Sequence, residues 1–441
     1  MASADVIAAI ATAPGQAGIG VIRVSGPHLQ EFACHLTAGG VPVARQARFT
    51  RFTDAEGNVM DEGLLIYFQA PSSFTGEDVL ELQAHGGNAV LRLLLARCLQ
   101  LGARMALPGE FTQRAFFNHK IDLAQAEAVA DLIAAESTAA VKGAARSLTG
   151  QFSRRVNALV DDLVALRMGV EGSIDFAEEG VDFMTGDFPQ RLGRIRMDLA
   201  SLLEQANQGT LLRSGRRVVL IGAPNVGKSS LLNALTEEEH ALVTNVPGTT
   251  RDIIRATVFI EGIPFHMLDT AGIRDTGDVV EQAGIERTWK AVHEADLAWV
   301  VADIRQGLTE ADRMLLQRLP ETLPRQVIYN KADLADPATL QERGPGVSAV
   351  TGAGLELLRQ QMLELAGWKE SPEPLFLARE RHCAALLQAE ACLERAQTQK
   401  DAVEFLAEEL RLAQQFLSGI TGSFSSDDLL GQIFSRFCIG K

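Results

Sequence analysis

The sequence predicts a multi-domain α/β protein in three parts: an α+β N-terminal domain, a discontinuous helical bundle, and an α/β module inserted into that bundle. Three observations carry this expectation. Short β-like runs separated by glycine turns fill the chain to about residue 118. A 3.6-residue apolar period takes over from Ile121 and returns after Pro372 and Pro374, and between the two helical stretches an α/β pattern starts near Arg216. With 441 residues, 46% of them hydrophobic, there is core material for roughly two to four domains.

The front block reads as strands at Ile19 to Val24, Gly63 to Phe68 and Asp78 to Gln83, with a helix over Val90 to Arg97 laid on them. The first helical stripe is Leu123, Ala126, Ala130 and Ile133, followed by Val156, Leu159, Leu163, Leu166 and Val170 at spacings of three and four. The second comprises Leu386, Ala389 and Leu393, then Val403, Leu406, Leu410, Ala413 and Leu417. The expected boundaries are 1–118, 119–215 and 216–371, with 372–441 returning to the bundle. Insertion is tolerated where chain ends lie close at a surface. Four consecutive domains are the alternative, but the C-terminal helices would then need a core of their own.

A net charge of -15 and a pI near 5.1 argue against a broadly basic nucleic-acid surface, so contact with nucleic acid needs a local patch or a partner. Five cysteines, with no CxxC pair, fit a reducing compartment, and a cytoplasmic location is expected. The N-terminus lacks the basic start of a secretion signal and no apolar run is long enough to span a bilayer, so no membrane association is expected.

Gly222-Ala223-Pro224-Asn225-Val226-Gly227-Lys228-Ser229-Ser230 follows the apolar run Val218 to Ile221 and reads as strand, phosphate-wrapping loop and helix. Backbone N–H groups at a helix N-terminus can cradle a β-phosphate, Lys228 can reach the β/γ-phosphates and Ser229 can offer a hydroxyl to Mg2+. Downstream, Asp269-Thr270-Ala271-Gly272 ends a strand: the carboxylate can hold Mg2+ through water and the Gly272 N–H can sense a γ-phosphate. Asn330-Lys331-Ala332-Asp333 then selects the base, because one carboxylate accepts from both N1–H and the 2-amino group of guanine, which adenine lacks. Ser348 and Ala349 follow as a guanine O6 contact. The module is therefore expected to be a Ras-like P-loop GTPase domain. Ile273 stands where Ras-like enzymes carry a water-orienting glutamine, so another group must position the water; Asp275, Asp278, Glu281 and Glu286 are near.

Asn225, the segment Thr244-Asn245-Val246-Pro247-Gly248-Thr249-Thr250-Arg251-Asp252, the inserted position of the module and the terminal Cys438-Ile439-Gly440-Lys441 together resemble the MnmE (TrmE) family of tRNA modification GTPases. The resemblance runs from end to end, with further matches at Gly18 to Gly26, Ser73 to Asp78 and Lys120 to Ala128. It implies that Glu281 acts on the attacking water, bridging rather than serving as a direct base. It also implies a K+ ion held by Asn225, Thr244, Val246 and Thr249, and Mg2+ held by Ser229 and Thr250, with the whole 244–250 loop around GTP. K+ would then couple hydrolysis to pairing of two GTPase modules.

For the front domain the resemblance implies constitutive homodimerisation and binding of 5-formyltetrahydrofolate or a related reduced folate, with Arg23, Glu81, Lys120 and Lys441 at matching positions. It implies work with the partner MnmG, in a heterotetramer or larger complex, adding a carboxymethylaminomethyl or aminomethyl group at C5 of the tRNA wobble uridine. Cys438 matches a candidate catalytic thiol. Each has a plainer reading: a strand-edge salt bridge for Arg23, a solvated side chain for Glu81, a helix first turn for Lys120, and a partly buried structural cysteine beside Phe434, Phe437 and Ile439 for Cys438. The chain departs from the family at Ala44-Arg45-Gln46-Ala47, which lacks the aromatic that usually follows a Pro-Arg pair. A ribosome-assembly GTPase, or a regulatory switch without modification chemistry, are the competing functions.

Overall fold

A computed structural model describes residues 5–37, 39–175, 187–237, 254–269, 289–344, 346–370, 375–398, 402–423, 427–435, 437–438 and 440. They form two compact units, one from 1–134, 147–200 and 384–441, the other from 135–146 and 201–383.

In the first unit, β-branched and aromatic residues alternating with polar ones build a six-stranded sheet. Its strands are β1 (Ile7–Ile10), β2 (Ala17–Gly26), β3 (Arg48–Thr53), β4 (Val59–Phe68), β5 (Asp78–Gly86) and β6 (Arg104–Met105). The order is β3-β4-β5-β2-β1-β6, antiparallel except for the β1/β6 pair. Period-2 alternation sends Ile22 and Val24 of β2 and Leu80 and Leu82 of β5 to one face, against Phe32 and Leu36 of the helix Leu29–Leu36 and Leu91 and Leu94 of the helix Asn88–Gln100. The register then sets Arg23 opposite Glu81.

The helices of this unit come from both sides of the α/β segment. The helix Gln151–Asp175 buries Val156, Leu159, Leu163, Leu166 and Val170 and packs along Val403–Thr421, which buries Leu406, Leu410, Ala413 and Leu417. Leu386, Ala389 and Leu393 are buried in the helix Glu380–Thr398. Ile133 departs from its expected stripe: one residue from the end of the helix Leu123–Ala134, it is 47% exposed. Below that stripe, Leu123 and Ala126 pack with Leu430, Ile433, Phe434 and Phe437.

The second unit holds a five-stranded sheet of β7 (Arg216–Ile221), β8 (Ile254–Ile260), β9 (Ile263–Asp269), β10 (Leu297–Asp303) and β11 (Arg325–Asn330). Its order is β11-β10-β7-β9-β8, parallel except for the β8/β9 hairpin. Every residue of β10 is buried, as a central parallel strand covered on both faces requires. The architecture is thus a multi-domain α/β protein with an α+β front domain, helices drawn from two separated stretches, and an α/β module between them. Among the described residues, no helix is long and apolar enough to cross a membrane.

Two glycines of one helix, Phe188–Ser214, carry opposite expectations. A Cβ at Gly209 would lie 2.2 Å from the Phe376 carbonyl oxygen, whereas one at Gly193 would meet nothing within 4 Å. Gly193→Ala should stabilise by about 1 kcal/mol through helix propensity. Gly209→Ala should destabilise, because the backbone contact outweighs that gain. Thermal melts of the two full-length variants should therefore shift in opposite directions.

Candidate nucleotide site and front-domain site

The phosphate loop leaves the buried end of β7 and enters the helix Lys228–Glu237. Two glycines are dictated by contact as well as by φ. A Cβ at Gly222 (φ 148°) would fall 2.2 Å from the Val301 carbonyl of β10, and one at Gly227 (φ 94°) would fall 2.3 Å from Asn330 Nδ2. Asn225 takes a left-handed φ of 64°, which asparagine tolerates better than most residues. Lys228 arches back so that Nζ donates to the carbonyls of Gly222 (2.7 Å) and Ala223 (3.0 Å), across the mouth of the loop. Ser229 and Ser230 are exposed in the first turn. The helix N-terminus, an exposed hydroxyl and a nearby ammonium are the donor set that a Mg2+-bound triphosphate needs.

The residues expected to read the base stand next to this loop because β11 and β10 end in register, Asp303 opposite Asn330. Asn330 Nδ2 donates to the Val226 carbonyl at 2.9 Å, and its Oδ1 accepts from the Ala349 N–H at 3.3 Å. Ser348 Oγ donates to Asp333 Oδ1 at 2.6 Å. Lys331 Nζ donates to the Asn225 carbonyl at 2.6 Å and to Asp303 Oδ2 at 3.0 Å. Asn330, Lys331, Asp333, Ser348, Ala349, Asn225, Val226 and Gly227 therefore form one connected site.

Asp303 is the member that motif reading missed. It is 4% exposed, and the Arg305 guanidinium, together with Lys331, holds its carboxyl well below the usual carboxylate range. The end of a wholly apolar strand in an aspartate was the available signal.

Asp269 ends β9 beside Leu220 of β7, as the strand reading expected. Thr244, Asn245, Val246, Pro247, Gly248, Thr249, Thr250, Thr270, Ala271, Gly272 and Glu281 lie outside the described residues, as does Lys441.

In the front domain, Arg23 pairs with Glu81 at 2.7 Å across β2 and β5, both partly buried. The ion pair expected as the plainer reading is present, but on interior strands rather than at an edge, and Glu81 is correspondingly not a freely solvated side chain. Arg23 Nη1 also lies 3.5 Å from the Gly440 carbonyl, and the Gly109 N–H donates to the Cys438 carbonyl at 3.3 Å. The C-terminal tail is thus seated beside Arg23. Cys438 is exposed, and Phe434 and Phe437 supply the apolar packing beside it.

Lys120 precedes the helix Leu123–Ala134, and its Nζ donates to the Pro71 carbonyl at 2.9 Å. A largely buried ion-pair network holds the surrounding backbone. Arg114 pairs with Glu77, Glu110 and Asp5, each at 3.0 Å, while Ser25 Oγ donates to Glu77 at 2.9 Å and lies 2.8 Å from Thr75 Oγ1. Burial alone would raise the Glu110 carboxyl, but Arg104 and Arg114 outweigh it and hold it low.

A parallel α/β module with this phosphate loop and the Asn330-Lys331-Ala332-Asp333 segment beside it is a P-loop GTPase. Residues 123–438 match the MnmE helical domain model and residues 6–120 match the model of the GTP-binding protein TrmE N-terminus. The tRNA modification GTPase MnmE of Chromobacterium violaceum is 54% identical, covering 99% of this chain and 98% of that relative. The relatives of the same description from Laribacter hongkongensis (54%, 99% of each chain) and Nitrosomonas europaea (53%, all of each) agree. The chain belongs to the MnmE/TrmE family of tRNA modification GTPases, which displaces the ribosome-assembly reading.

Asp333→Asn should exchange nucleotide preference. The amide oxygen keeps the Ser348 contact, while its NH2 now meets the C2 carbonyl of xanthine instead of the 2-amino group of guanine. Calorimetric titration should show weaker GTP binding and tighter xanthosine triphosphate binding; an unchanged preference would reassign the base contact.

Proposed function

We propose that this GTPase hydrolyses GTP in a K+-dependent manner and, with an MnmG-type partner and a reduced folate, takes part in adding a carboxymethylaminomethyl or aminomethyl group at C5 of the tRNA wobble uridine. One observation favours modification chemistry over a bare switch. The tail bearing Cys438 lies beside Arg23 and Glu81, although 417 residues separate Arg23 from Gly440. A switch has no need to return an exposed thiol to the front domain.

In this reading the protein acts as a homodimer, with Arg23, Glu81, Lys120 and Lys441 holding the folate. The Arg23 and Lys120 cations suit the glutamyl carboxylates of a folate, and Glu81 suits its pterin amine. Binding must then compete with, or use, the existing Arg23–Glu81 pair.

At the nucleotide, hydrolysis demands charge stabilisation and an oriented water rather than covalent help from the protein. Lys228 and the loop N–H groups hold the phosphates in place. Mg2+ would be held by Ser229 and Thr250 and would neutralise phosphate charge. K+ would be held by Asn225, with Thr244, Val246 and Thr249, and would supply positive charge beside the phosphates. Asn225 fits this role because its left-handed backbone and the tie from Lys331 to its carbonyl hold it at the loop, while its side chain is exposed. Glu281 orients the water by hydrogen bonding.

Turnover measured at equal ionic strength should be high in KCl and fall at least about 10-fold in NaCl, since a cation acting on the leaving phosphate lowers the barrier by more than 1 kcal/mol. Equal rates would remove K+ from the mechanism. In cells, deletion should abolish the modified wobble uridine, measured by mass spectrometry of digested tRNA. The wild-type gene should restore it and an Asp269→Ala variant should not; persistence of the nucleoside in the deletion would leave only the switch reading.

A further inference from the structure

We infer that Asp303 is a positioning residue for guanine nucleotide, acting through Lys331. Lys331 is fixed at both ends. Its backbone takes a left-handed φ of 68° directly after Asn330, and its ammonium lies on the Asn225 carbonyl of the phosphate loop at 2.6 Å. The aliphatic stem therefore spans from the base-reading segment to the phosphate loop, the interval a bound nucleoside must occupy. An ammonium donating to one carbonyl keeps two further donors on a long flexible stem, so that single contact by itself would define its direction poorly.

Asp303 supplies the second anchor, 3.0 Å from Nζ. Its own orientation is not free. Oδ1 accepts from the Arg305 backbone N–H and Nε, each at 3.0 Å, and Oδ2 accepts from Arg305 Nη2 at 2.7 Å. The carboxylate is buried at the end of a central strand, in register with Asn330, so its place relative to the base-reading segment is set by the sheet.

The chain of positions runs from β10 to Asp303, to Lys331, to the nucleoside. Loss of the charge leaves Lys331 and Arg305 as two cations with no common counter-ion, and Lys331 gains the freedom to leave the loop. Asp303 does not reach the 2-substituent that Asp333 reads. Its effect should therefore be blind to the exocyclic pattern of the base.

The test uses full-length Asp303→Asn, Lys331→Ala and the double variant, with GTP, GDP and ITP titrated by calorimetry alongside steady-state hydrolysis. Asp303→Asn should weaken GTP and ITP by a similar factor of about 10 and raise KM, with kcat at saturating GTP within about two-fold, because a base-side contact acts equally on the ground and transition states. In the Lys331→Ala background the same substitution should cost less than about two-fold, since the residue it acts through is gone. Additive losses, or wild-type nucleotide affinity in the single variant, would overturn the assignment. Melting curves without nucleotide report folding. Should the Asn variant be unstable, Asp303→Glu keeps the charge but displaces it by one methylene, and it should show several-fold weaker binding with the same non-additivity; additivity there overturns the proposal equally.

Discussion

The hydrogen bond from Asn330 Nδ2 to the Val226 carbonyl is the constraint on which the nucleotide site depends. It joins the end of β11 to the middle of the phosphate loop, two segments more than a hundred residues apart, at 2.9 Å. Its partner contacts follow from it. Gly227 must lack a side chain because the Asn330 amide fills that space, and Lys331, the next residue, is thereby brought within reach of Asn225. The segment expected to read the base and the phosphate loop are thus joined by direct hydrogen bonds. A ligand that fits only one of them leaves the other's polar groups paired with protein and gains little.

The parallel order of the sheet makes this possible. β7, β10 and β11 all run the same way, so their C-terminal ends deliver the phosphate loop, Asp303 and Asn330 to one edge. Ligand sites at the carboxyl ends of strands in open α/β sheets have this origin. The apolar interior of β10 supports the arrangement, with Trp299, Val300 and Val301 fully buried.

A different logic governs the front domain, where polar residues were placed by alternation. The face opposite the helices carries Arg23 and Glu81, and the loop leading into β5 carries Thr75 and Glu77. Arg114 binds that loop to the helix Glu110–Phe117 and to Asp5 near the start of β1. A buried cation with three carboxylates is costly to disrupt, because removing one partner leaves uncompensated charge. The backbone around Pro71 and Lys120 inherits that rigidity.

Local pattern sufficed for the elements with a strong period. Leu163 and Leu410 read as core from sequence because helical spacing needs no partner to be recognised, and Asn330 to Asp333 read as guanine-specific because donor and acceptor counts belong to the residue types. The helices Thr138–Leu148 and Phe188–Ser214 were not legible in this way: small and charged residues break their stripes, and their burial is set by what packs on them, as the Phe376 carbonyl does at Gly209. Nor could spacing reveal Asp303, whose role exists only because β10 and β11 pair in one register. The sequence by itself determined the nucleotide chemistry, since a carboxylate, an ammonium and a glycine loop keep their properties wherever they lie. Only the tertiary structure decided that Arg23 faces Glu81 and that the tail carrying Cys438 comes to rest beside them, because contacts between residues far apart in the chain arise from packing and leave no periodic trace in it.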